Sequence, residues 1–265
     1  MFKLIADNIY KLDIPFENIT TSSFLVMGDK NILVDCGTYP SDVTEIIMPA
    51  LKKLKITPDY LFLTHSHGDH AGGTEVFLGE LKNLKLICFH GEMCKKFGGT
   101  LLSNNQELIN GICFLSLPGH SYDSGALFDK RTKSLITGDC LQLWGITKYG
   151  CGVGLPIEYK KSIFRLKNIK INNIFASHEY YPFGSTALGS NAVKDYLNEC
   201  DDFYNEIILF TLGAKGRGED DFDKIAADFR KEKSLAHPKM PIIPPHCFKA
   251  ISASDEELIK RYICQ

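Results

Sequence analysis

The sequence predicts an α/β protein in which two packed β-sheets are flanked by helices, followed by a helical C-terminal region. Three observations predict it. Short apolar runs ending in polar or glycine-bearing turns recur up to residue 180, among them Tyr60–Leu63 and Ser134–Gly138. Segments of helical periodicity alternate with them, first in one half and again in a second, which fits layered sheets and helices. From residue 190 onward the periodicity is helical alone.

Residues 2–5, 9–12, 23–27 and 32–34 read as strands, and Gly28-Asp29-Lys30-Asn31 supplies a hairpin turn between the last two. Asp35-Cys36-Gly37 closes that hairpin. Asp42-Val43-Thr44-Glu45 has the pattern of a capping box and opens a helix through Leu54, with Ile46, Ile47, Ala50, Leu51 and Leu54 on its apolar face. Tyr60–Leu63 reads as a strand ending at Thr64. Residues 74–81 and 92–97 read as short helices around a strand over 84–89. Strands over 112–117, 134–138 and 173–178 and a helix over 158–166 complete the sheet-bearing part. Beyond it, residues 191–212 carry the stripe Val193, Tyr196, Leu197, Cys200, Tyr204, Ile207 and Ile208. A second helix follows over 220–231, a loop marked by Pro238, Pro241, Pro244 and Pro245, and a last helix over 255–262.

Composition narrows the class. A chain of 265 residues holds one large domain, or a domain with an appendage, and 44% apolar content suffices for a real core. A net charge of −2 leaves no basic footprint, which argues against a nucleic-acid partner. Nine scattered cysteines without a C-x-x-C pair do not make a disulfide framework. The first residues lack a long apolar region and no stretch approaches a membrane span, so a soluble cytoplasmic protein is the expectation.

The chemistry concentrates in His65-Ser66-His67-Gly68-Asp69-His70-Ala71-Gly72-Gly73, which packs three imidazoles and one carboxylate into six residues. On an extended chain, positions i and i+2 share a side, so His65 and His67 can grip one ion. Asp69 and His70, beyond Gly68, can turn toward a second. Neutral imidazole suits zinc, iron and related metals. Such a density of ligand-type side chains, on a chain with eight histidines, marks a metal site. His90 follows a core strand and reads as a non-ligand; His237 and His246 read as structural or exposed.

His-x-His-x-Asp-His followed by Gly-Gly resembles the signature of the metallo-β-lactamase superfamily. Three later segments fit that resemblance: Leu117-Pro118-Gly119-His120-Ser121, the run from Ser134 to Asp139, and the run from Asn173 to His178. Each places one ligand-type residue at the end of a β run, where loops gather at a sheet rim. The resemblance implies a four-layer αββα sandwich, with a catalytic domain over residues 1–188 and a helical C-terminal extension over 189–265. It implies two divalent ions, zinc by default and iron or manganese as alternatives. The first would be held by His65, His67 and His120, and the second by Asp69, His70 and His178, with Asp139 bridging. Asp35 would support the ligands by hydrogen bonding, or serve only as a strand-end turn residue. C-terminal helices in this superfamily shape the pocket or build a homodimer.

The ligand set implies a metal-dependent hydrolase. A water or hydroxide between two divalent ions has its pKa drawn from about 15.7 toward 7 and attacks a carbonyl or phosphoryl centre, with Asp69 or Asp139 orienting it and moving its proton. Small esters, lactones and thioesters are the expected substrates. A small phosphodiester, or the persulfide of a mononuclear-iron dioxygenase, is the alternative. Trp144 and Tyr149 lie on a glycine-rich stretch that leaves Asp139 and reads as a substrate-pocket loop. Tyr180 or Tyr181, just after His178, could hydrogen-bond a developing oxyanion or pack. Cys140 reads as buried and inert.

Overall fold

The computed structural model describes residues 1–16, 19–141, 144–145, 152–181, 184–233 and 245–254, with the backbone alone at Trp144, Gly145, Tyr180 and Tyr181. The chain divides into two compact units. The first comprises Met1–Ser116, Asp123–Asp139 and Ile174–His178; the second comprises Leu117–Tyr122, Cys140–Asn173 and Glu179–Gln265.

One sheet of the first unit has seven strands in sequence order: β1 (Lys3–Ala6), β2 (Ile9–Phe16), β3 (Ile19–Val26), β4 (Ile32–Val34), β5 (Tyr60–Leu63), β6 (Lys85–Cys88) and β7 (Thr100–Leu101). The first four form an antiparallel meander, and β4 to β7 run parallel. Parallel neighbours need crossovers, and helices supply them. A π-helical segment (Asp42–Ile47) continues into α1 (Met48–Leu54) between β4 and β5. Then α2 (Gly68–Ala71) and α3 (Thr74–Glu80) lead to β6, and α4 (Gly91–Phe97) leads to β7.

Two local outcomes differ from the sequence reading, and a third agrees with it. β2 and β3 extend well beyond 9–12 and 23–27, because they pair along their whole length from Ile9↔Val26 to Phe16↔Ile19. That pairing carries the strand back through Thr20-Thr21-Ser22, a polar run that lacks the apolar pattern by which a strand is read from sequence. The capping box does not form. Oδ2 of Asp42 instead accepts the N–H groups of Thr38 and Tyr39 at 2.8 and 2.9 Å, closing the loop ahead of the helix, and Ser41 makes no capping bond. His90 does cap a helix: its Nδ1 accepts the Met93 N–H at the start of α4, a structural role in line with its reading as a non-ligand.

The second sheet contains β8 (Gln106–Ile109), β9 (Ile112–Ser116), β10 (Gly125–Asp129), β11 (Ser134–Gly138), β12 (Trp144–Gly145) and β13 (Asn173–Tyr181), with β14 (Gly184–Leu188) also paired to β13. The sequence pattern does not point to β8, β10 or β14. They are edge or hairpin strands completed by neighbours, as where β10 pairs with β9 from Gly125↔Ser116 to Asp129↔Ile112. Within the first unit, Phe24, Val34, Phe62, Ile87, Phe114, Ile136 and Phe175 form the apolar layer, and the rings of Phe62 and Phe114 lie 4.9 Å apart. A separate cluster joins Leu25, Leu33, Leu61 and Leu63 to the helical residues Val43, Ile47, Leu51 and Phe77. The central strands β3, β4 and β5 are thus apolar on both faces, and burying such a side chain contributes roughly 1.5–3 kcal/mol.

In the second unit, β12 pairs with the end of β13 through Trp144↔Tyr181 and Gly145↔Tyr180. The helices are α5 (Pro156–Lys167), α6 (Ser190–Gly216), α7 (Phe222–Glu232) and α8 (Pro245–Ala253). The expected stripe of α6 is buried, from Val193 to Ile208. The chain turns helical at Pro245, where the proline pattern reads as loop, because proline is tolerated in the first helical turn. His237 and the helix expected over 255–262 lie outside the described residues; His246 is exposed, within its reading as structural or exposed. Cys140 is 1% exposed and buried, as expected. Among the described residues no helix is long and apolar enough to cross a membrane.

Candidate metal centre

The centre grows out of the end of β5. His65 follows Thr64 at the C-terminal rim of the parallel strands and is 2% exposed. His67 stands at the N-terminus of α2 and is exposed, while Asp69 and His70 lie within that short helix. The second half of the motif is therefore one helical turn, which swings Asp69 and His70 away from the extended pair before them. Gly72 and Gly73 make this turn possible. A Cβ at Gly72 would lie 2.0 Å from the carbonyl oxygen of Thr38, and one at Gly73 would lie 2.4 Å from that of Cys36. The pair lets the helical segment press on the loop after β4, where the Cys36 N–H donates to the His70 carbonyl at 2.8 Å.

Asp35 anchors the centre. Its backbone adopts φ 59°, a left-handed conformation that costs a non-glycine residue energy and marks an over-determined position. Oδ1 accepts the Thr64 N–H at 2.8 Å; Oδ2 accepts the Thr64 hydroxyl at 2.8 Å and stands 2.8 Å from Nδ1 of His70. Asp35 thus bonds both Thr64 and the His70 ring, and it is buried at 1% exposure.

His178, on β13, turns its Nδ1 to the carbonyl oxygen of Thr20 at 2.9 Å, which leaves Nε2 facing the carboxylates. That nitrogen lies 3.2 Å from Oδ2 of Asp69 and 3.4 Å from Oδ2 of Asp139. Nε2 of His70 lies 3.3 Å from Oδ2 of Asp69 and 3.5 Å from Oδ1 of Asp139. Asp139 sits at the end of β11, after Gly138 at φ 52°. The ring centroids of His65 and His67 are 4.6 Å apart, and those of His65 and His70 4.2 Å. His65, His70 and Asp139 offer one convergent donor group, and Asp69, His70 and His178 a second.

Electrostatics fit a cation. Burial alone would lower the imidazole pKa values of His70 and His178, yet the surrounding carboxylates prevail. They hold His70 well above its usual value and raise His178 to about 10. Burial would likewise raise Asp69 and Asp139, and the facing imidazoles hold both well below the carboxylate range. Positive charge is what the cluster favours, and a divalent ion supplies it once the imidazoles lose their protons. Nε2 of His70 is buried and faces the carboxylates of Asp69 and Asp139 at lengths long for a hydrogen bond, the arrangement of a nitrogen placed to ligate. Imidazole and carboxylate donors at this spacing suit zinc, iron or manganese.

His120 belongs to the second unit, where its Nδ1 lies 2.6 Å from the carbonyl oxygen of Gly152. The Gly154 N–H donates to the His120 carbonyl at 3.2 Å, and Leu155 N–H to that of Gly119 at 2.7 Å, so a glycine-bearing strap orients the residue. Of the expected substrate contacts, Tyr149 and the side chains of Trp144, Tyr180 and Tyr181 lie outside the described residues. Sequence reasoning missed Thr20, Thr21 and Thr64. A run of four hydroxyl residues, Thr20 to Ser23, was the available signal for Thr21, whereas Thr20 acts through its backbone carbonyl. Thr21 Oγ1 donates to Oδ2 of Asp69 at 3.4 Å, a long contact.

A family profile described as the metallo-beta-lactamase superfamily matches residues 17–90. The chain is 28% identical over 175 residues to a beta-lactamase-like protein 2 homolog of Caenorhabditis elegans, covering 62% of this chain and 57% of that protein. It is 26% identical over 163 residues to an atrochrysone carboxyl ACP thioesterase of Aspergillus terreus, covering 51% and 48%. The chain thus spans about half the length of these relatives. A metallo-beta-lactamase from Hirschia baltica superposes with a TM-score of 0.59 at 18% identity, over 76% of this chain and 97% of the other, which shows the sandwich fold.

Proposed function

Since the chain belongs to the metallo-β-lactamase superfamily, we propose that it is a metal-dependent hydrolase that cleaves a small ester, lactone or thioester. The observation that carries this reading is the buried Nε2 of His70, which faces the carboxylates of Asp69 and Asp139 at 3.3 and 3.5 Å. The relative named as a thioesterase supports the choice of bond.

His65 and His67 would hold a first ion, with His120 as the third ligand that the family resemblance implies. Asp69, His70 and His178 would hold a second, and Asp139 would serve both. When bound, divalent ions supply Lewis acidity to the substrate oxygen and lower the pKa of water at neutral pH. The protein's own groups do the rest. Asp35 and the Thr20 carbonyl fix His70 and His178 with Nε2 inward. Asp69 would orient the attacking water through its carboxylate and accept a proton from it. Asp139 is 7% exposed, so water reaches it sparingly and its charge acts at low dielectric.

Elemental analysis of protein purified without added metal, with an ester, lactone, thioester and phosphodiester panel, tests the proposal. About two divalent ions per chain and thioester or ester hydrolysis lost in His70→Ala are expected. Activity confined to phosphodiesters would move the substrate class, and one iron with persulfide oxidation would move the reaction. Absence of bound metal would overturn the reading.

A further inference from the structure

Thr64 stands between the anchor of the centre and its first motif histidine. Its hydroxyl lies 2.8 Å from Oδ2 of Asp35 and 3.1 Å from Nδ1 of His65, and all three residues are at most 2% exposed. A carboxylate accepts only, and a hydroxyl has one proton. Thr64 therefore donates to Asp35 and can only accept from His65. That order places the proton of His65 on Nδ1 and the lone pair on Nε2.

The same oxygen of Asp35 faces Nδ1 of His70 at 2.8 Å and fixes that ring directly. One carboxylate oxygen thus sets two imidazoles, the first through a hydroxyl and the second without one. Space for the hydroxyl is built in. A Cβ at Gly138, the residue before Asp139, would fall 2.4 Å from Oγ1 of Thr64. The chain admits that side chain only because β11 ends in a glycine at positive φ.

Building on the proposed metal centre, we infer that Thr64 is a positioning residue that sets the tautomer of His65 and thereby supports the ion held by His65 and His67 selectively. The ion held by Asp69, His70 and His178 depends on Asp35 and Thr20 instead.

The experiment is stepwise zinc titration of the metal-free full chain by calorimetry, in the parent, Thr64→Val and Thr64→Ser. Valine keeps the shape and the backbone N–H bond to Asp35 but removes the hydroxyl, whereas serine restores it. Thr64→Val should lose about 10-fold or more in affinity for one equivalent and keep the other, the scale seen when a partner of a ligand histidine is removed. Thr64→Ser should stay close to the parent. Side-chain 1H–15N spectra of the zinc-loaded protein should show a hydrogen-bonded Nδ1–H on His65 in the parent and Thr64→Ser, and lose it in Thr64→Val. Two tight equivalents in Thr64→Val would overturn the inference and leave the metal centre standing. An equal loss in Thr64→Ser would also overturn it, since packing of the methyl would then be the cause. No uptake by the parent would instead overturn the metal centre itself, and the inference with it.

Discussion

Oδ2 of Asp35 lies 2.8 Å from Nδ1 of His70 although the residues are 35 positions apart, and the Cys36 N–H bonds the His70 carbonyl at the same length. Ring and backbone of His70 are thus held by two consecutive residues. Replacing Asp35 with Asn puts an amide N–H₂ where Thr64 and His70 both donate. Asp35→Asn should lower the stability of the metal-free protein by about 2 kcal/mol in urea, from buried donors left unpaired, and weaken metal uptake by about 10- to 100-fold. An Asp35→Asn protein with parental stability and zinc affinity would remove Asp35 from the centre.

The glycines after the motif should differ sharply in tolerance. Gly72→Ala drives a Cβ against the Thr38 carbonyl, a backbone atom that cannot step aside. It should cost about 3 kcal/mol or more, or prevent folding. Gly79, inside α3 with nothing within 4 Å of an added Cβ, is the control. Gly79→Ala should gain up to about 1 kcal/mol from helix propensity. Thermal melts of the two variants check both statements.

Cysteine chemistry should be silent in the folded protein. Burial pushes the thiols of Cys36, Cys88 and Cys247 up to about 12, and Cys94, Cys113, Cys140 and Cys200 are buried as well. A Cys151→Ser/Cys264→Ser variant should release almost no chromophore from an aromatic disulfide reagent at pH 8, and react at seven positions in denaturant. Rapid native labelling would show that the core opens.

Lys160 sets an alkaline stability slope. Burial lowers its pKa below 10.5, and Asp201 offsets this only in part. The ammonium also bonds Asn205 at 2.8 Å. Because the folded state binds that proton less tightly than the unfolded chain, stability should rise with pH in the range just below 10.5 through this group. Urea midpoints of Lys160→Met at pH 7 and at stepped alkaline values should lack that increment relative to the parent. Identical slopes would show that the pair titrates as if solvated.

Local spacing made the motif legible. Four donors from His65 to His70 are a sequence pattern, and the strand before them and the glycines after them follow the same local logic. The supports were hidden because they come from far along the chain. The Thr20 carbonyl is a backbone atom with no sequence signature, and it meets His178 across 158 positions. Asp42 shows the reverse. Its capping pattern was correct locally, but the Thr38 and Tyr39 N–H groups offered better partners. β8, β10 and β14 escaped because pairing, rather than propensity, makes them strands.

The bond between Thr20 and His178 also orders events during synthesis. The acceptor leaves the ribosome early, and the histidine follows only after both sheets have been almost fully translated. Until then the carboxylates of Asp69 and Asp139 lack the imidazole of His178 that faces them in the fold. Closure of β13 against β11 then brings Nε2 of His178 to the carboxylates of Asp69 and Asp139, so the cluster is completed only by a contact that spans most of the chain.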